Sequence, residues 1–282
     1  MVRIRKIDSL DSPALQPYRT MRRQMEHREQ GIFVAEGEKV VRRLLESHFQ
    51  VMSVLLPEKW LTELQPLLEG RSELIEAFVA EKQLLETLTG FSMYQGLLAV
   101  GKIPARISLE ELIAKSPQPR LFAAVDALSN AENLGALVRN CAAFGAHGLI
   151  VGETSSSPFL RRAVRSSMGT IFELPIIETT GLVQALADLR KAGIRCIAAH
   201  PHVEKRTLSD ANFAGDCCIV FGNEGHGMLR GRPFPSRPCP AETLTCFQRG
   251  LCRFSPVFLP GAFTKVSHAL RQDFCGLVRS MR

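Results

Sequence analysis

The sequence predicts an α/β protein with a small N-terminal α/β domain, followed by a domain built on a mostly parallel sheet. Three observations carry this expectation. Strand-length apolar runs alternate with amphipathic helical stretches over residues 31–223. In the second half those runs are apolar on both sides, as strands covered by helices on both faces must be. Pro117 and Pro119 in "KSPQPR" punctuate the chain between the two sets. With 282 residues, 45% of them hydrophobic, the chain can bury a sizeable core.

Residues 1–30 are polar and often basic, ending in "YRTMRRQMEHREQG", and helix is expected for part of them. "GIFVAEG" reads as a short strand into a turn. "EKVVRRLLES" reads as an amphipathic helix with Val40, Val41, Leu44 and Leu45 on one face. "VMSVLLP" is a strand stopped by Pro57, "IEAFVAEKQLLETLTG" a strand then a helix, and "GLLAVGKI" a closing strand. Residues 1–105 are therefore expected to form one domain and 106–120 a linker.

From Leu121 the alternation is more regular. "LFAAVD" is a strand, "ALSNAEN" a polar loop, and "LGALVRNCAAFG" a helix with Leu134, Leu137, Val138, Cys141 and Ala142 on one side. "HGLIVGE" is a strand, and "SPFLRRAVRSSMG" a helix opened by Pro158 in its first turn. "TIFELPII" is a strand, and "GLVQALADLRKAG" a helix ended by Gly193. "IRCIAAH" and "DCCIVFGNE" are the last clear strands. A second domain over 121–229 follows.

The tail, 230–282, breaks this order with six Pro, six Phe and four Cys. It holds nine Arg/Lys against two Asp/Glu, while residues 1–229 hold 26 of each sign. The net charge of +7 is therefore the tail's, and says little about nucleic-acid binding by the main body. No run approaches the roughly 18 apolar residues of a membrane helix. "MVRIRKIDSLDSP" leads into no apolar segment, so a cytoplasmic location is expected. The eight Cys form no CxxC pair, read as reduced, and suggest no metal.

Ligands of open parallel sheets bind beyond the carboxyl ends of the strands. Two loops there hold chemistry. In "NAENLGALVRN", Asn133 is expected to cap a helix, Gly135 admits a close backbone, and Arg139 projects toward the strand tips. A cation beside free helix N–H groups suits a phosphate. A capped helix with a solvated arginine has the same spacing. In "FGNEGHG", Gly222, Gly225 and Gly227 permit positive φ and close approach to a flat ligand, with Glu224 among them. An ordinary glycine turn fits as well, with His226 a turn residue. The loop is neither a P-loop nor a Rossmann fingerprint, lacking GKS or GKT and following the last clear strand. In "SSSPFLRRAVRSSMG", Arg161, Arg162 and Arg165 recur at helical spacing, as a solvated face or as contacts to RNA phosphates.

At these residues the chain resembles the SpoU (TrmH-like) family of RNA ribose 2′-O-methyltransferases. The family's first motif is similar to "NAENLGALVRNCAAFGAHGLIV" through Asn133, Gly135 and Arg139. An intermediate stretch is similar to "LRRAVRSSMGTIFELPI" through Arg165, Ser167, Met168 and Gly169. The second motif is similar to "CIVFGNEGHGM" through Gly222, Glu224 and Gly225. "FVAEGEKVVRRLLES" resembles the substrate-binding domain often fused to the family. The resemblance covers roughly residues 17–229. It implies a trefoil-knot fold, a bent S-adenosylmethionine in the knot, a homodimer, an rRNA or tRNA substrate and no metal. It implies that Arg139 serves the ribose 2′-hydroxyl, with Asn133 and Glu224 in the same catalytic site. Phe221, Gly222, Asn223, Gly225 and Gly227 would lie against the cofactor, and the methyl would pass by in-line displacement.

The family's third motif is an apolar strand, a loop and a Ser-Leu-Asn run opening the final helix. Residues 230–282 contain no Ser-Leu-Asn, and only "SPVFLPG" echoes the strand. Three readings stay open. The chain is a methyltransferase whose tail completes the knot differently. It is an RNA-binding protein on the same scaffold that has lost its cofactor. Or the tail follows a reading-frame slip near Met228–Gly231, or is disordered.

Overall fold

In the computed structural model, residues 1–89, 96–199, 214–223 and 243–244 are described. The chain divides into two units. One comprises Met1–Ala105 with Pro158–Glu173, and the other Arg106–Ser157 with Leu174–Arg282.

The first unit opens with a strand that the sequence reading did not anticipate. Val2 and Ile4 alternate with Arg3 and Arg5, a period-two pattern, and Val2–Lys6 form β1. Helix in the basic segment is confined to short α1 (Gln16–Arg19) and α2 (Gln24–Glu29). β2 (Ile32–Glu36), α3 (Glu38–Glu46) and β3 (Val51–Leu56) follow. Then come α4 (Glu58–Glu69), β4 (Ile75–Val79), α5 (Lys82–Thr89) and β5 (Leu98–Lys102). The α4 helix was not anticipated. The sheet order is β1-β4-β3-β5-β2, with β1, β4 and β3 parallel and β5 antiparallel to both its neighbours. α3 buries Val40, Val41, Leu44 and Leu45, the face its spacing predicts. Each such side chain contributes about 1.5–3 kcal/mol of burial.

The second unit begins inside the stretch expected as a linker. Residues 106–120 contain α6 (Leu109–Lys115), capped by the Ser108 side chain, which accepts from the Glu111 N–H at 3.1 Å. Leu112 of α6 is buried in this unit's core. β6 (Leu121–Val125), α7 (Ala131–Ala143) and β7 (Gly148–Val151) come next. α8 (Arg161–Ser166) comes after β7 and is taken up below. β8 (Ile176–Glu178), α9 (Leu182–Lys191), β9 (Arg195–Ala199) and β10 (Cys217–Phe221) complete the sequence-predicted set. Gly193, just past α9, has φ +80, the left-handed ending its position predicts. In the tail, Thr243–Leu244 form a two-residue β11 beside β9. The order is β11-β9-β10-β6-β7-β8, and every described pairing is parallel. Phe122, Ala124 and Ile150 meet α6 and α9 on one face. The alternate positions Ala123, Val125, Leu149 and Val151 are also buried, as a sheet covered on both faces requires. The chain beyond Asn223, where a knot would form, is outside the described residues apart from β11.

Asp216 ties the entries of β6 and β10 together. Its Oδ1 accepts the Arg120 backbone N–H at 2.7 Å and its Oδ2 the guanidinium at 2.8 Å. Burial alone would raise this carboxyl, but the hydrogen bonds and charge of Arg120 outweigh it and hold the pKa below the aspartate range. A depressed folded pKa means the contribution is present above the unfolded value, about 4, and is lost as pH falls through the folded one. Asp216→Asn is therefore expected to lower stability at neutral pH and to flatten its decline below about pH 4. Denaturant unfolding across a pH series measures both.

Residues 158–173 depart most from expectation. The helix α8 is Arg161–Ser166 and follows Leu160, so Pro158 stands ahead of it and not in its first turn. Thr170–Phe172, expected as strand, form a 3₁₀ turn, and the strand begins only at Ile176. The cause is tertiary. Phe159 and Phe172 enter an aromatic cluster with Phe33 and Phe49, at centroid distances of 5.7 Å (Phe33–Phe159), 5.6 Å (Phe33–Phe172) and 5.3 Å (Phe49–Phe172). The reversal uses positive φ at Met168 (+55) and Gly169 (+87). A Cβ on Gly169 would stand 2.9 Å from Arg43 Cβ, so glycine is required there.

Candidate active site

The candidate site is at the carboxyl ends of β6 and β10. β6 is the point where the sheet order turns: β7 and β8 extend it to one side, β10 and β9 to the other. Loops leave neighbouring strands in different directions at such a point, opening a crevice.

The loops are joined by hydrogen bonds. The Asp126 N–H donates to Phe221 O at 2.8 Å, and Asn223 Nδ2 donates to Ala127 O at 2.9 Å. From the β7 side, Gly152 N donates to Val125 O at 2.9 Å, Ser155 Oγ accepts from Leu128 N at 3.2 Å, and Ser156 N donates to Leu128 O at 2.9 Å. Three strand tips are thus held to one another through Val125–Leu128. Ala127 takes φ +56, a left-handed conformation uncommon outside glycine. Gly152 packs so tightly that a Cβ would stand 2.8 Å from Val125 O.

α7 starts from this loop. Asn130, three residues before the expected Asn133, is its cap. Its side chain accepts from Glu132 N at 2.8 Å and Asn133 N at 3.4 Å. Helical geometry extends further upstream than the apolar spacing shows, since Ala131–Asn133 carry no apolar signal of their own. Asn133 is therefore a half-buried first-turn residue. Leu134, Gly135, Val138 and Cys141 are buried. Arg139 follows eight residues after Ala131, about 12 Å along the axis, and so belongs to the third turn instead of the capped end. Its Nε is buried and, among the described residues, has no hydrogen-bond partner. Burial pushes the Cys141 thiol up to about 12, so it stays protonated and is no nucleophile.

Of the predicted cofactor residues, Phe221 and Asn223 are half-buried and Gly222 is buried, all at the β10 tip. Glu224, Gly225 and Gly227 lie outside the described residues. The predicted basic edge is found in the other unit and is only partly free. Arg161 pairs with Glu36 and is 18% exposed, Arg165 also pairs with Glu36 but is 59% exposed, and Arg162 is exposed. Asp126, Ala127, Asn130 and the Gly152–Ser156 loop were missed. Only Asn130 left a sequence signal, an Asn directly ahead of "AEN". Among the described residues no cluster of His, Cys, Asp or Glu could hold a metal, and no helix is long and apolar enough to cross a membrane.

Residues 120–230 match the SpoU rRNA Methylase family. An uncharacterized tRNA/rRNA methyltransferase of Mycobacterium tuberculosis is 29% identical over 201 residues, covering 70% of this chain and 68% of its own. Two solved structures are similar in fold. The SpoU methyltransferase AviRb of Streptomyces viridochromogenes, in complex with the cofactor AdoMet, has a TM-score of 0.69 at 20% identity, over 96% of this chain and all of its own. An RNA 2′-O ribose methyltransferase has a TM-score of 0.63 at 23% identity, over 81% of this chain and 84% of its own.

Proposed function

We propose, from the match of residues 120–230 to the SpoU rRNA Methylase family, that this chain binds S-adenosylmethionine and methylates a ribose 2′-hydroxyl of structured rRNA or tRNA. The observation that carries the reading is the buried Nε of Arg139, on the helix after the switch-point strand, which has no hydrogen-bond partner among the described residues. Leaving such a donor without an acceptor costs about 1–3 kcal/mol, and a ligand oxygen would satisfy it. The residues present fit the cofactor. Phe221, Gly222 and Asn223 offer backbone and a flat edge at the β10 tip, with Gly225 and Gly227 next in sequence, and Glu224 would organise that loop.

S-adenosylmethionine, when bound, supplies an electrophilic methyl group. The remaining work falls to this chain. A guanidinium hardly deprotonates, so Arg139 acts by holding the 2′-oxygen and stabilising the negative charge that develops on it, while the hydroxyl proton leaves to a substrate phosphate oxygen or to water. The Asn223–Ala127 bond sets the spacing between the two strand tips, which is a positioning role. Arg162 and Arg165 contact the RNA backbone. The family resemblance supports a homodimer.

One sequence feature favours a second reading, an RNA-binding scaffold without cofactor: residues 230–282 contain no Ser-Leu-Asn run. Titration calorimetry of the full chain with S-adenosylmethionine decides between them. Saturable heat at micromolar cofactor is expected. Its absence up to high micromolar cofactor, in folded protein that still binds RNA, would sink the methyltransferase reading.

A further inference from the structure

Glu36 ends β2 with a side chain only 8% exposed, and both of its oxygens are engaged. Oε2 accepts from Arg161, and Oε1 accepts from Arg165 Nη1 at 3.0 Å. The two arginines differ. Arg161 is 18% exposed and Arg165 59%. A buried carboxylate needs a cation beside it, and Arg161 already meets that need. Arg165 is not required for neutralisation, and its guanidinium is largely in water. Two guanidiniums on one carboxylate leave a net charge of +1, with the anionic member facing inward. Arg162 adds a further exposed cation on the same helix. The carboxylate also removes part of the rotational freedom that a free arginine would lose on binding, so less is lost per hydrogen bond formed.

We propose that Glu36 is a positioning residue for RNA: it holds the Arg165 guanidinium in place to receive a backbone phosphate, while the buried Arg161 neutralises its charge. The inference rests on the RNA reading above and goes beyond it by giving a role to an acid. Charge alone predicts the opposite, because removing an acid beside a basic helix should strengthen binding to a polyanion. That difference in sign makes the test decisive.

The test titrates a fluorescein-labelled RNA hairpin with the full chain over a salt series, comparing wild type, Glu36→Gln, Arg165→Ala and the double variant. Arg165→Ala is expected to weaken binding and to reduce the slope of log K against log salt by about one. Glu36→Gln is expected to weaken binding with the same loss of slope, and the double variant to be no weaker than Arg165→Ala. Glu36→Asp keeps the charge but shortens the reach, so it too is expected to bind more weakly, and it serves if circular dichroism shows Glu36→Gln to be unfolded. Binding by Glu36→Gln as tight as wild type or tighter, unchanged binding by Glu36→Asp, or additive losses in the double variant would overturn the proposal. A wild type that does not bind the hairpin overturns it as well. Cofactor calorimetry is independent of these arms, so failure here leaves the cofactor reading to its own test.

Discussion

Arg139→Ala is expected to lower kcat at least about 10²-fold in a methyl-transfer assay on RNA, the effect of removing a donor aimed at developing negative charge. Affinity for S-adenosylmethionine is expected to stay largely unchanged, because the role assigned to Arg139 is at the ribose oxygen. The buried setting of Nε makes the effect large: hydrogen bonds to charge are worth more where water is excluded. Arg139→Lys is expected to recover little, since an ammonium lacks the planar fork that places Nε. The split between kcat and cofactor affinity matters most. A variant that loses cofactor binding in parallel with turnover would move Arg139 into the cofactor pocket, and one with wild-type turnover would remove it from the mechanism.

The second large effect is on stability. Phe172→Ala is expected to lower the unfolding free energy by about 3–5 kcal/mol, as for other buried phenylalanines. Phe172 is 1% exposed, and its ring stands 5.6 Å from that of Phe33 and 5.3 Å from that of Phe49. Leucine at the same position refills much of the volume and is expected to cost less. Denaturant unfolding of both variants reads the difference, and a loss below about 1 kcal/mol for alanine would show that the cluster collapses around the gap.

These two residues also show what was legible in advance. Arg139 was found from a local pattern, six residues after an Asn and at the end of an apolar stripe. That pattern belongs to the helix itself and needs no partner. That its Nε has no hydrogen-bond partner among the described residues is a property of the surroundings. Phe172 read as part of a strand because "TIFELPII" is apolar and β-branched. The competing term was the aromatic core of the other unit, which draws Phe159 and Phe172 and leaves only Ile176–Glu178 to pair with β7. The arginines of α8 show the same limit. Their helical spacing was visible, but a carboxylate 125 residues from Arg161 and 129 from Arg165 could not be.

By itself, the sequence determined the alternation of strands and helices, the buried face of α3, the parallel second sheet and the loop that leads from β6 into α7. All follow from periodicities and turn chemistry written within a few residues. Only the tertiary structure decided that Asn223 ties the β10 tip to Ala127 and that residues 158–173 pack with the N-terminal strands. Those outcomes depend on which distant groups compete for one hydrogen-bond donor or one buried surface, and that competition has no local signature.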